Sequence, residues 1–238
     1  MAKSRKTTGQ KSAKQRGSPA ARPVRAAAIS QGLRQLYPDA DCALRRRSAL
    51  ELLVATILSA QCTDERVNKV TPVLFARYRS AADYAGANPA ELEGLIKSTG
   101  FFRNKTKNLI GAGRVMTERF GGRVPDTMED LCALPGVSRK TANVILGTWF
   151  GKNDGFVVDT HVGRLAHRLD LTWRSKNDQD AVKIEQDLME LFPRDDWTSL
   201  GHALVWHGRK VCAARQPDCA NCSLAELCPS AFALASKK

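Results

Sequence analysis

The sequence predicts an all-α fold. Three observations carry this: apolar residues recur at helical spacing, turn-forming residues separate those runs, and no segment alternates apolar and polar residues as a strand would. Leu50, Leu53, Val54, Ile57 and Leu58 fall at i, i+3, i+4, i+7 and i+8, one face of a helix. Leu109, Ala112, Met116 and Phe120 repeat the pattern, as do Ile184, Leu188 and Leu191. Each stripe is expected to be ordinary core. Between them lie the breakers Asn88-Pro89, Ser98 to Gly100, Gly121-Gly122, Gly151 to Gly155 and Pro193. No internal repeat is present.

The chain has 238 residues, enough for one domain or two small ones, and 43% of them are hydrophobic, enough for a core. Charge is uneven. The first 25 residues hold eight Lys or Arg and no acid, and the first acidic residue is Asp39. This start therefore carries most of the net charge of +13. With little to bury, residues 1–22 are expected to form a disordered basic tail. Such a tail suits an anionic polymer, nucleic acid foremost. A solubilising extension and an Arg-rich transit peptide are the other readings; no amphipathic apolar face before Leu33 supports the latter. No apolar run follows the early lysines, so a signal peptide is not expected. No stretch approaches the roughly 18 apolar residues of a membrane span.

Of seven cysteines, Cys42, Cys62 and Cys132 sit in or beside apolar segments and are expected to be buried free thiols. The other four, Cys212, Cys219, Cys222 and Cys228, form C-x6-C-x2-C-x5-C in KVCAARQPDCANCSLAELCP. Four thiolates so close, with few apolar residues between, suit a metal cage. Disulfides are disfavoured without a secretory signal. Spacing alone leaves a zinc ion and a [4Fe-4S] cluster open, although zinc sites usually pair two C-x2-C units and only one occurs here.

LPGVSRKTANVIL, residues 134–146, suits a helix–hairpin–helix together with Leu131. Gly136 would let the chain approach DNA closely, and the free N–H groups at the start of the second helix would bind a phosphate. A plain inter-helix turn is the bland reading. Lys140 stands at the positive end of that helix, where its ammonium form is disfavoured. Partial burial would favour the neutral amine further. A neutral amine can form a Schiff base with an aldehyde-like carbon; a phosphate-binding lysine is the competing reading. Downstream, in FVVDTHVGRLAHRL, Asp159 is an N-cap candidate that could also lie close to a reacting centre. His161 is read as a first-turn residue.

These motifs occur together in the order found in endonuclease III, and LLVATILSAQCTD, GFFRNK and WHGRKVC match as well. The chain thus resembles the endonuclease III family of DNA glycosylases with abasic-site lyase activity, over roughly residues 28–228. The resemblance implies a two-domain helix-hairpin-helix glycosylase fold with a C-terminal iron–sulfur loop and DNA bound across a cleft. Residues 45–152 would be a helical bundle with the hairpin; 23–44 plus 153–230 would hold a [4Fe-4S] cluster. Lys140 matches the nucleophile, Asp159 the essential carboxylate, and the four cysteines the cluster ligands. Gln61 and Phe101 match residues that fill the gap left by a flipped base. Gly136, Ser138 and Arg215 would meet the DNA backbone. The implied partner is double-stranded DNA with an oxidised pyrimidine or abasic site, bound by a monomer with no membrane. The implied location is the bacterial cytoplasm, at the nucleoid; the tail leaves organellar targeting open.

Three departures from the family pattern stand out. Ser138 replaces the hairpin's usual second glycine and is expected to cost backbone freedom, while its hydroxyl could contact a phosphate. Phe101 stands where leucine is common. WFGKNDGF is longer and more polar than usual before Asp159. The alternatives are an adenine glycosylase, disfavoured by Lys140 and the short segment after Cys228, a non-enzymatic DNA-binding module with a zinc staple, and a paralogue with altered or weakened activity.

Overall fold

The structure, a computed structural model, describes residues 21–233. Among them are eleven α-helices and no strand. In chain order the helices are α1 (Arg22–Leu36), α2 (Ala49–Ser59), α3 (Asp64–Arg77), α4 (Ala81–Ala85), α5 (Pro89–Ile96), α6 (Phe102–Phe120), α7 (Met128–Cys132), α8 (Arg139–Thr148), α9 (Thr160–Arg168), α10 (Ala181–Leu191) and α11 (Trp197–Lys210). The three apolar stripes become the inner faces of α2, α6 and α10.

Short polar side chains set most helix starts. Ser48 accepts a hydrogen bond from the Glu51 N–H at 3.1 Å, Thr63 from that of Arg66 at 3.3 Å, and Thr127 from that of Asp130 at 3.2 Å. Ser80 and Asp83 cap each other's backbone across the first turn of α4. Asn88-Pro89 proves to be a helix start: Asn88 caps α5, and Pro89 occupies its first turn, where a missing N–H does no harm. Each side-chain cap contributes about 1 kcal/mol.

The chain divides into two compact units. One comprises Asp39–Val158 and Phe192–Ala203 and holds α2 to α8 with the first half of α11. Its core is built from Leu52, Leu53 and Leu58 of α2, Leu109 and Met116 of α6, and Ala142, Ile145 and Leu146 of α8, all at most 2% exposed. Each such leucine contributes roughly 2 kcal/mol by leaving water. The polar residues of WFGKNDGF tether their own loop. Lys152 pairs with Asp126 at 2.6 Å, Asp154 with Arg194 at 2.8 Å, and the Asn153 carboxamide accepts from Thr198.

The other unit comprises the described residues up to Pro38, Asp159–Leu191, and those from Leu204 on. Ala26, Ile29, Ser30 and Leu33 form the buried face of α1. Arg25 pairs with Asp170 at 2.7 Å. The basic tail expected over residues 1–22 lies outside the described residues except at its end. There Arg22 is helical, because Pro23 in the first turn opens α1.

The lone cysteines depart from the expectation of burial. Cys42 and Cys62 are half-buried and Cys132 is exposed, its Sγ 3.8 Å from Met128 Sδ. Burial pushes the Cys42 thiol above its ordinary pKa.

Candidate active site

The hairpin runs from α7 to α8. α7 ends at Cys132, and Ala133 to Ser138 make the turn. Gly136 has φ +80, and a Cβ there would meet the Asn108 side chain at 2.7 Å, so both conformation and space demand glycine. Ser138 differs from its expectation. Its backbone is extended (φ −91, ψ 169), so no glycine is needed, and it caps α8, accepting from the Thr141 N–H at 3.4 Å. The hydroxyl expected to meet a phosphate is thus engaged in the helix start. α8 buries Ala142, Ile145 and Leu146, which leaves Arg139 and Lys140 of its first turn on the outer side. Lys140 is exposed. Its amine is accessible at the positive end of a helix.

Gln61 and Phe101 belong to the same unit and share an unusual feature. Both are exposed and both have left-handed backbone, with φ 52 and φ 48. For non-glycine residues this costs on the order of 1 kcal/mol or more each, and such strain gathers at functional sites. Phe101 is 66% exposed and immediately precedes α6. Gly100 before it has φ 71 and ψ 159, a region essentially reserved for glycine. A phenyl ring is therefore held out in water by a turn that its neighbour makes possible.

One residue of this region escaped the sequence reading. Lys105 lies on the buried face of α6 with Thr106 and Leu109, and its ammonium donates to the Leu58 and Thr99 carbonyls at 2.8 Å each. The signal was present: Lys105 precedes Leu109 by four residues, so it belongs to the apolar stripe.

In the second unit Asp159 caps α9. One oxygen, Oδ1, accepts from the N–H groups of both His161 and Val162, at 2.8 Å each. His161 stands in the first turn; burial pushes its imidazole below the ordinary pKa. The four cysteines line one pocket, together with Leu165, Arg168 and His207. Arg168 Nη1 is 3.2 Å from Cys212 Sγ and donates to the Ala213 carbonyl at 2.8 Å, while Nη2 donates to the Ala214 carbonyl at 2.6 Å. Arg164 donates to the Cys212 and Gly208 carbonyls. Burial raises the Cys228 thiol to about 11, which disfavours its thiolate until a cation compensates. Among the described residues no three His, Cys, Asp or Glu side chains converge tightly enough to hold a single ion. Arg215 and Arg209 are exposed. Lys210 lies over the Trp206 ring at 4.9 Å and the Tyr37 ring at 5.8 Å. No described helix is long and apolar enough to cross a membrane.

Residues 54–194 match the HhH-GPD superfamily of base excision DNA repair proteins, which gives the class. Endonuclease III of Synechocystis sp. (strain ATCC 27184 / PCC 6803 / Kazusa) is 55% identical over 214 residues, covering 90% of this chain and 96% of that protein. Endonuclease III of Bacillus subtilis (strain 168) is 42% identical over 194 residues, covering 81% and 86%. A solved structure of a trapped endonuclease III–DNA covalent intermediate, an estranged-adenine complex, matches with a TM-score of 0.81 at 38% identity, covering 87% of this chain and 95% of that one. The chain belongs to the endonuclease III family within that superfamily, and its function is that of a DNA glycosylase and abasic-site lyase of base excision repair.

Proposed function

We propose that the chain excises oxidised pyrimidines from double-stranded DNA and cleaves the resulting abasic site, with Lys140 as nucleophile. The observation that carries this reading is the exposed primary amine of Lys140 in the first turn of α8, beside a turn that only Gly136 permits. The covalent intermediate trapped between DNA and a 38% identical relative supports the same chemistry. A stacked base is unreachable, so the damaged nucleotide must leave the duplex, at a cost of a few kcal/mol. Gln61 and Phe101 fill the vacancy and offset part of that cost. The first N–H groups of α8, with Gly136 and Ser138 in the turn, receive a phosphate. Exposed Arg215 meets the backbone further along.

The Lys140 amine, once deprotonated, attacks the sugar C1′. The C1′–N bond to the base breaks, and the base departs with its electron pair and takes up a proton. Ring opening leaves a protonated Schiff base at C1′, which acidifies the C2′ proton. Loss of that proton breaks the C3′–O bond by β-elimination, and water then releases the lysine. The Asp159 carboxylate accepts the amine proton or faces the developing positive sugar. Its Oδ1 carries both capping bonds, so Oδ2 is the oxygen for that work.

Cys212, Cys219, Cys222 and Cys228 would hold a [4Fe-4S] cluster. All four line one pocket, and four thiolates are the ligand set that such a cluster takes. Four protein ligands would leave no open position for substrate, so the cluster would supply ligation energy that fixes the loop. The test of the function is a duplex with one oxidised pyrimidine. Release of free base and strand cleavage at that site are expected, and an intact strand after prolonged incubation would refute the reading.

A further inference from the structure

Lys105 is 4% exposed, unusual for a lysine. Its backbone N–H donates to the Phe101 carbonyl at 3.1 Å, closing the first turn of α6. Its ammonium reaches two other carbonyls, those of Leu58 and Thr99. Leu58 lies in the last turn of α2, three residues before Gln61. Thr99 ends the 3₁₀ turn Lys97–Thr99, two residues before Phe101. Carbonyls at helix ends lack intrahelical partners and carry partial negative charge, so a cation suits both. Burial pushes the ammonium below the ordinary lysine pKa, and a buried cation stripped of its acceptors is costly. Neither carbonyl can drift from it cheaply. One buried charge thus joins the two segments that lead to the exposed, left-handed residues Gln61 and Phe101.

We propose that Lys105 is a positioning residue for base extrusion, holding the Gln61 and Phe101 loops in one register so that both side chains enter the duplex together. This rests on the reading that Gln61 and Phe101 fill the gap left by the flipped nucleotide. Two side chains that fill one gap must arrive at a fixed separation, and local backbone cannot fix it across the sequence between them. Lys105 contacts both loops, so motion of either is resisted by its bond to the other.

The test uses the full-length holoprotein with Lys105→Met, which keeps bulk and removes the donors. In amide hydrogen exchange without DNA, residues 60–62 and 99–101 should both exchange about tenfold faster or more, the effect of losing about 1.4 kcal/mol, while α8 keeps its protection. The ratio of base excision at a paired lesion to cleavage at a pre-formed abasic site should fall by a similar factor. A staple serving only the fold would lower both activities in parallel. Faster exchange in one loop alone, or in neither, overturns the proposal. Phe101→Ala tests the underlying reading separately: it should lower the same ratio without faster exchange at 60–62. If both loops loosen in Lys105→Met and the ratio stays fixed, the positioning role fails; if Phe101→Ala also leaves the ratio fixed, the insertion reading fails with it. Should Lys105→Met unfold, seen as fast exchange throughout α2 and α6, Lys105→Arg carries the test. It keeps the cation but displaces its donors, and should loosen both loops together by a smaller factor; loosening of one alone overturns the proposal.

Discussion

The loops carrying Gln61 and Phe101 and the loop carrying the four cysteines solve the same problem in different ways. Each must hold exposed residues on irregular backbone. The first pair is fixed from beneath. Leu58, Thr99, Thr106 and Leu109 are buried under it, and the packed helices tolerate left-handed backbone at two non-glycine positions. In the cysteine loop Leu224 is the one apolar side chain between Cys212 and Cys228 that reaches the core. Guanidinium clamps take over there: Arg164 and Arg168 of α9 hold the carbonyls of Cys212, Ala213 and Ala214. Packing fixes the first region, and polar clamps with the proposed ligation fix the second. The first should therefore respond to buried donors and volume, the second to chelation and to its arginines.

The largest effect that would sharpen this contrast is Cys219→Ser. Ligation energies at structural metal sites reach roughly 10 kcal/mol, so loss of the proposed cluster should lower the melting temperature sharply, with iron content falling alongside. Exchange at the α7–α8 hairpin should not change; hairpin amides that loosen with the cysteine loop would erase the contrast. Next comes Arg168→Met, which keeps the aliphatic stem and removes the clamp. A loss of about 2 kcal/mol is expected, the scale of charge-assisted hydrogen bonds, with faster exchange confined to residues 212–215. Ser138→Ala is the smallest, about 1 kcal/mol for a lost N-cap, and Ser138→Gly only a few tenths. Denaturant midpoints without DNA read these values. A Ser138→Ala protein of unchanged stability but weaker DNA binding would return the hydroxyl to a phosphate.

Local features were legible in the sequence. Helical stripes, the Asp159 cap and the Gly136 turn rest on residues within a few positions of one another, where spacing encodes contact. The cap made by Ser138 was hidden because replacement of a glycine suggests lost freedom, whereas the backbone there is ordinary and the hydroxyl caps. Long-range clamps were out of reach. Lys105 meets Leu58, and Arg168 meets Ala213, across more than 40 residues, and only the folded chain brings them together. The left-handed backbone at Gln61 and Phe101 was equally hidden, because propensity assigns that conformation to glycine and asparagine.

The measurement that bears most directly on the proposed chemistry is borohydride trapping with Lys140→Gln. Wild-type protein incubated with an oxidised-pyrimidine or abasic duplex should give a covalent protein–DNA adduct, because borohydride reduces the imine. Glutamine keeps polarity and similar length but cannot form that bond. Adduct and strand cleavage should vanish in Lys140→Gln, while DNA binding weakens by only about 1–2 kcal/mol, the scale of a lost contact. Cleavage at the wild-type rate, or a loss explained wholly by weaker binding, would make Lys140 a phosphate ligand and contradict the account.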